Sequence, residues 1–127
     1  MTRRTERVQE AVRRIAGEMM QKELKDPRIA DFVTVTRVEV TPDLRLAKIY
    51  YTVLGDGKTK KQVARGLASA KPYMRKRIAD ALKLRYALEL SLKPDERAER
   101  VERIDNILEK IREEKKNERG RKNNRNA

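Results

Sequence analysis

The chain contains no cysteine, no histidine and no tryptophan, and its 127 residues include only one phenylalanine and four tyrosines. Without cysteine there is no disulfide and no thiolate metal site, which fits a reducing compartment. Without histidine the usual general base, the commonest metal ligand and every imidazole-based triad are gone. These two absences argue against an enzyme before any motif is considered. Nowhere do apolar residues run for the roughly 18 positions that a membrane-crossing helix needs. The N-terminal Met-Thr-Arg-Arg-Thr-Glu leads straight into an amphipathic pattern and lacks the apolar centre of a signal peptide. Apolar material is scarce throughout, with 38% hydrophobic residues against 42% charged. A core in a chain of this length must therefore use most of what there is.

What is plentiful is positive charge. Thirty-three Lys and Arg face twenty Asp and Glu, a net charge of +13. An excess of that size favours a polyanionic partner, because each neutralised phosphate releases condensed counterions.

Residues 3–25 read as an amphipathic helix, with Val8, Val12, Ile15 and Met19 recurring at spacings of 4, 3 and 4, and Asp26-Pro27 stops it. Residues 33–40, Val-Thr-Val-Thr-Arg-Val-Glu-Val, form a β-branched strand whose apolar phase slips. Val33 and Val35 share one parity and Val38 and Val40 the other, which predicts a bulge or a two-sided strand near Thr36. Thr41-Pro42-Asp43-Leu44 is turn chemistry, and residues 46–54 return as an alternating strand, so the two make an antiparallel hairpin. After Gly55-Asp56-Gly57 a helical pattern runs through Val63, Leu67, Met74, Ile78 and Leu82, with Pro72 in its middle. Proline removes a backbone donor and crowds the preceding turn, so a kinked pair of helices is predicted about Pro72. Residues 88–92 alternate as one short strand. From Pro94 to about Lys116 a last helix starts with proline in its first turn and carries Val101, Ile104, Leu108 and Ile111 on one face. Residues 117–127 hold no large apolar side chain and read as a disordered basic tail, leaving 1–116 as a single domain. Three strands with helices on one face make an α+β fold.

The distribution of charge says more than its sum. Residues 58–85 carry ten cations and one acid, Asp80, whereas residues 94–114 mix five basic with eight acidic side chains. A solvated helix face normally mixes signs, so the second run needs no partner. The first would repel itself without one. Lys58, Lys60, Lys61, Arg65, Lys71, Arg75, Lys76, Arg77, Lys83 and Arg85 are therefore the candidate nucleic-acid contacts. A membrane surface is the weaker candidate, because Leu67, Tyr73, Ile78 and Leu82 are needed for the core and no Trp or Phe stands by as an interfacial anchor. Few aromatics also argue against stacking of splayed bases and for recognition of phosphate and shape. Tyr73, next to the proline, reads as core more readily than as contact. Arg28 reads as a partner for a carboxylate or carbonyls at the helix stop. Asp26, Asp31 and Asp43 could suggest a metal-assisted nuclease, but each has a simpler place at a turn or helix end.

The order helix, strand, strand, helix, kink, helix, strand is similar to a type II KH topology. The wording of the chain goes further. Lys25-Asp26-Pro27-Arg28, the run Val33 to Leu44, Ala47-Lys48-Ile49-Tyr50, Tyr73-Met74-Arg75, Leu82-Lys83-Leu84-Arg85-Tyr86, Glu89-Leu90 and Arg103-Ile104-Asp105-Asn106-Ile107-Leu108 resemble the ribosome-binding factor A family, in family order and spacing over roughly residues 5–112. The resemblance implies a KH-like fold in which an Ala-x-Gly kink replaces the Gly-x-x-G clamp, and this kink maps onto Ala70, Lys71 and Pro72. It implies binding to the small (30S) ribosomal subunit near its decoding region, late maturation of 16S rRNA, and importance in the cold. A cytoplasmic monomer with no cofactor, metal, small-molecule substrate or membrane partner is the matching expectation. A general RNA- or DNA-binding module without ribosomal specificity is the alternative. The chain departs from the family at Pro72, where glycine is expected, at Ala87-Leu88, where a proline tends to precede Glu89-Leu90, and at Arg97, where serine is common.

Overall fold

The computed structural model describes residues 3–24, 26–29 and 33–125, the last five by backbone alone. It contains helix α1 (Arg3–Glu18) with a π-helical extension (Met19–Glu23), strands β1 (Val33–Val40) and β2 (Leu46–Val53), helix α2 (Gly57–Leu82), strand β3 (Glu89–Pro94) and helix α3 (Glu96–Arg125). Two compact units result, Met1–Asp95 and Glu96–Ala127.

The π-helical turn explains how α1 can bury two consecutive methionines. Leu24 N–H reaches back five residues to the Met19 carbonyl at 2.8 Å, and the widened turn places Met19 and Met20 both in the core. The helix thus ends a little before the proline-marked stop, in a wider form of the same coil. Gln9 ties α1 to the sheet by accepting the Val40 N–H at 2.9 Å.

In the sheet the order is β1-β2-β3, with β1 antiparallel to β2 and β3 parallel to it. The slipped phase of β1 is a bulge between Val35 and Arg37, at Thr36. Its effect is to turn both parities to one side. Val33, Val35, Val38 and Val40 pair with Val53, Tyr51, Ile49 and Ala47, and all eight but the half-buried Val35 are buried. Without the extra residue one pair of valines would face water. α1 and α2 cover this face, with Val12, Ile15, Val63, Leu67, Met74 and Ile78 completing the core. A fully buried side chain of this kind contributes about 1.5–3 kcal/mol.

β3 runs two residues further than its alternation suggests and takes in Pro94, which was expected to open the last helix. As an edge strand β3 tolerates a residue with no N–H to give. The next residue restores the ladder, since Asp95 N–H bonds the Tyr51 carbonyl at 2.7 Å.

α2 begins at Asp56, whose carboxylate accepts the Thr59 N–H at 2.9 Å. Gly55 before it has φ +144°, and a Cβ there would stand 2.9 Å from Thr59 Cβ, so no other residue fits. Where two helices were expected, the secondary structure is one uninterrupted helix of 26 residues with Pro72 inside. The proline sits on the exposed side and withholds only its own N–H, from the Ala68 carbonyl, so the ladder closes on both sides of it. Pro72→Ala should supply that bond and remove the ring's crowding. We expect it to stabilise the fold by roughly 1–3 kcal/mol, read from urea unfolding with an unchanged m-value. A variant no more stable than the parent would show that the helix does not close around position 72.

α3 continues to Arg125, past the Lys116 end expected from the apolar pattern and through a segment expected to be disordered. Residues 113–122 are mostly Glu, Lys and Arg, strong helix formers that need no apolar stripe to continue a turn already made. Taken by itself, α3 is a lone helix with Val101, Ile104, Leu108 and Ile111 exposed along it.

Candidate nucleic-acid interface

Of the ten candidate cations, eight lie on α2 and two just beyond its end. Lys83 is the left-handed cap residue (φ 51°), and Arg85 lies in the loop to β3. On α2 they fall into two groups. Lys58, Lys61, Arg65 and Lys76 lie opposite the buried Val63, Leu67, Met74 and Ile78, on one outer stripe that Pro72 shares. At 1.5 Å per residue the stripe is about 27 Å long. None of these four has an ion pair among the described residues.

The flanking cations have structural partners. Arg75 donates from Nε to the Leu88 carbonyl at 3.1 Å and pairs through its other end with Glu89 at 3.3 Å. Lys71 lies 4.0 Å from the same carboxylate. On the opposite flank Arg77 approaches Glu23 at 3.5 Å. These contacts hold the loop before β3 and the π-helical turn against α2. Sequence counting cannot separate the two groups, because Glu23 and Glu89 are distant in the chain and meet α2 only through the fold.

Tyr73 is not in the core. Half of its surface is exposed, and its hydroxyl donates to Glu23 at 3.2 Å. The core position next to the proline belongs to Met74, which is fully buried. The fold also brings side chains to the surface that the charge tally did not single out. Tyr86 is 74% exposed, with the Arg85 guanidinium 5.5 Å from its ring centre, and Arg4 and Arg45 share a cavity with both.

The aspartates take structural places. Asp26 accepts the Arg28 backbone N–H at 2.9 Å and grips its guanidinium through both oxygens, the shortest contact being 2.6 Å. Asp43 closes the hairpin turn, accepting from the Thr41 hydroxyl at 2.7 Å and the Arg45 N–H at 3.2 Å, and Asp31 lies outside the described residues. No three acidic side chains among the described residues gather where they could hold a metal ion.

The Arg28 side-chain bond, and after it the Arg28 backbone N–H, hold the Asp26 carboxyl below its ordinary 3.8. A carboxyl lowered on folding stabilises the folded state above its unfolded pKa, and that stability is lost as pH falls through the folded value. NMR titration should therefore find Asp26 below 3.8, and Arg28→Ala should raise it part of the way back, since the backbone N–H of residue 28 still donates to the carboxylate. An unchanged titration in that variant would assign the shift to something other than Arg28.

Fold and charge together define a KH-like nucleic-acid-binding module, a three-stranded mixed sheet under two helices with a cationic stripe on the second. A family model described as ribosome-binding factor A matches residues 4–108, and the chain belongs to that family. It is 45% identical over 115 residues to the ribosome-binding factor A of Geobacter sulfurreducens, covering 91% of this chain and 97% of that one. To the protein of the same name in Clostridium tetani it is 38% identical over 110 residues, covering 87% and 91%. The crystal structure of ribosome-binding factor A from Thermus thermophilus superposes with a TM-score of 0.62 at 20% identity, over 71% of this chain and 94% of that one. A homology model of the Thermus protein, fitted into a cryo-EM map of its complex with the 30S subunit, gives 0.55 at 21% identity, over 67% and 88%. At such identities these two likenesses show the fold. No helix among the described residues is long and apolar enough to cross a membrane.

Proposed function

We propose that this protein is a non-catalytic assembly factor that binds the small ribosomal subunit and promotes late maturation of its 16S rRNA. The observation that carries this reading is the outer stripe of α2, where Lys58, Lys61, Arg65 and Lys76 have no acidic partner among the described residues, on the face away from the core. Fixed cations on a rigid helix suit the phosphates of folded RNA, a contact that positions a protein by backbone shape. Lys83 and Arg85 extend this surface past the helix end. Lys60, Lys71, Arg75 and Arg77 add to its field from the flanks, and Pro72 bends the helix about Ala70 and Lys71 to follow the RNA. Family membership supplies the ribosomal specificity, which charge alone does not give. With no imidazole and no thiol in the chain, the protein acts by binding, as a monomer in the cytoplasm.

Co-sedimentation with small subunits, large subunits and an unrelated structured RNA, all at one salt concentration, tests this. The salt must match because counterion release scales affinity with ionic strength. Retention on small subunits alone is the expected result. Equal retention on all three would reduce the function to general RNA binding.

A further inference from the structure

At the end of the sheet where β2 and β3 both begin, a cavity of about 820 Å³ opens between the first turn of α1, the hairpin turn and the loop that follows α2. Pockets of about 300–1,000 Å³ take small organic ligands, so the space admits one nucleotide with room to spare. Its lining combines two features that occur together for one class of ligand. Four arginines line it, Arg4, Arg45, Arg75 and Arg85. Beside them stands Tyr86, 74% exposed. The ring serves no packing purpose, since the next apolar residue but one, Leu88, fills the core at that point.

The turn that forms the opposite wall is held open by its backbone. Leu44 has φ +57°, in the left-handed region that a leucine rarely adopts. The turn is braced by Leu44 N–H to the Thr41 carbonyl at 2.9 Å. Arg45, the next residue, lines the cavity with the half-buried Leu44 beside it. Two carboxylates also line the space, and both are engaged. Asp43 holds the turn itself, and Glu89 holds Arg75. Arg4, Arg45 and Arg85 have no ion pair among the described residues, and only Arg85 has a ring beneath it.

We propose that this pocket receives one unpaired nucleotide of the RNA, its base stacked on Tyr86 and its flanking phosphates held by Arg4, Arg45 and Arg85. This deepens the RNA-binding reading above and rests on it. The scarcity of aromatics excludes an extended stacking platform. A single ring in a cavity lined by arginines is a different device, suited to one base turned out of a folded RNA.

Two variants and two probes test the site. Tyr86→Leu keeps bulk and removes the π face, and Tyr86→Phe keeps the face and removes the hydroxyl. Both should fold normally, because the ring is exposed. Stacking of one base is worth about 5- to 150-fold in affinity. Tyr86→Leu should therefore weaken binding to small subunits by a factor in that range with the salt slope unchanged, since no cation is lost. Tyr86→Phe should bind like the parent.

The second probe does not depend on the ribosome. A single-stranded tetraribonucleotide should shift the Tyr86 ring resonances of the parent protein by NMR, and a blunt RNA duplex should leave them in place. If Tyr86→Leu binds subunits as tightly as the parent, or if the duplex moves the ring as much as the single strand does, the nucleotide pocket is wrong. If the parent protein ignores small subunits but the single strand still moves the ring, the pocket stands and the ribosomal specificity falls.

Discussion

Reversing Lys58, Lys61, Arg65 and Lys76 to Glu leaves the protein folded and costs on the order of 1,000-fold or more in affinity for small subunits at about 0.1 M salt. The estimate follows from counterion release, which gives each phosphate contact roughly 0.7–0.9 of a power of ten per tenfold change in salt. Four contacts are worth about three powers of ten at that concentration, and the slope of log affinity against log salt should flatten by about three. Stability changes little, because these side chains have no ion pair to lose among the described residues and lie on the exposed face of α2. Reversing Lys71, Arg75 and Arg77 is a different experiment. It sets new acids beside Glu89 and Glu23 and removes the Arg75 bond to the Leu88 carbonyl. Lower affinity there would come with a lower unfolding midpoint. Binding and stability measured on both sets separate the two roles. A stripe variant that keeps its affinity and its salt slope would move the interface off this face of α2.

The second large effect is expected at Asp95, which is 4% exposed. Its carboxylate accepts the hydroxyl proton of Thr36, the bulge residue, at 2.5 Å. It also lies 3.6 Å from Arg37 Nε, an atom that is buried with no hydrogen-bond partner among the described residues. The Arg37 guanidinium covers the Tyr50 ring at 3.9 Å and reaches Glu39 at 2.7 Å. One carboxylate therefore secures both residues around the bulge and fixes the end of β3 against β1. Removing it leaves a buried guanidinium nitrogen without compensation and reduces the half-buried Thr36 hydroxyl to its longer bond, 3.3 Å to the Tyr50 carbonyl. A fully buried pair broken in this way costs about 3–5 kcal/mol. Arg37 keeps some contact with water, so Asp95→Ala should lose about 2–3 kcal/mol in denaturant unfolding. Asp95→Asn, which can still accept from Thr36, should lose less. In a cycle with Thr36→Val the two changes should not add, because they share one bond. An Asp95→Ala protein within about 0.5 kcal/mol of its parent would mean that the bulge is held by the strand pairing alone.

What the sequence determined by itself was local and periodic. The spacing of Val8, Val12, Ile15 and Met19 placed α1, and two β-branched runs around Thr41-Pro42 placed the hairpin. The parity slip in β1 foretold the bulge at Thr36, because a period-two pattern cannot change face without an extra residue. Asp26-Pro27-Arg28 foretold an arginine held at a helix stop. The ordered motifs carried the family, since they depend on chain order alone.

Tertiary structure decided the rest. It made one helix of the segment around Pro72, because core contacts through Leu67, Met74 and Ile78 keep both halves helical against the loss of a single backbone bond. It drew Pro94 into an edge strand, where a missing donor does no harm. It turned Asp95 inward to a bulge 59 residues away and left Tyr73 on the surface. It also set four of the ten candidate cations on an outer stripe and braced three others against Glu23 and Glu89, and gathered Arg4, Arg45 and Tyr86 into one cavity. Charge pairing acts through space over a few ångströms and is blind to chain order, so only the folded chain could assign those partners.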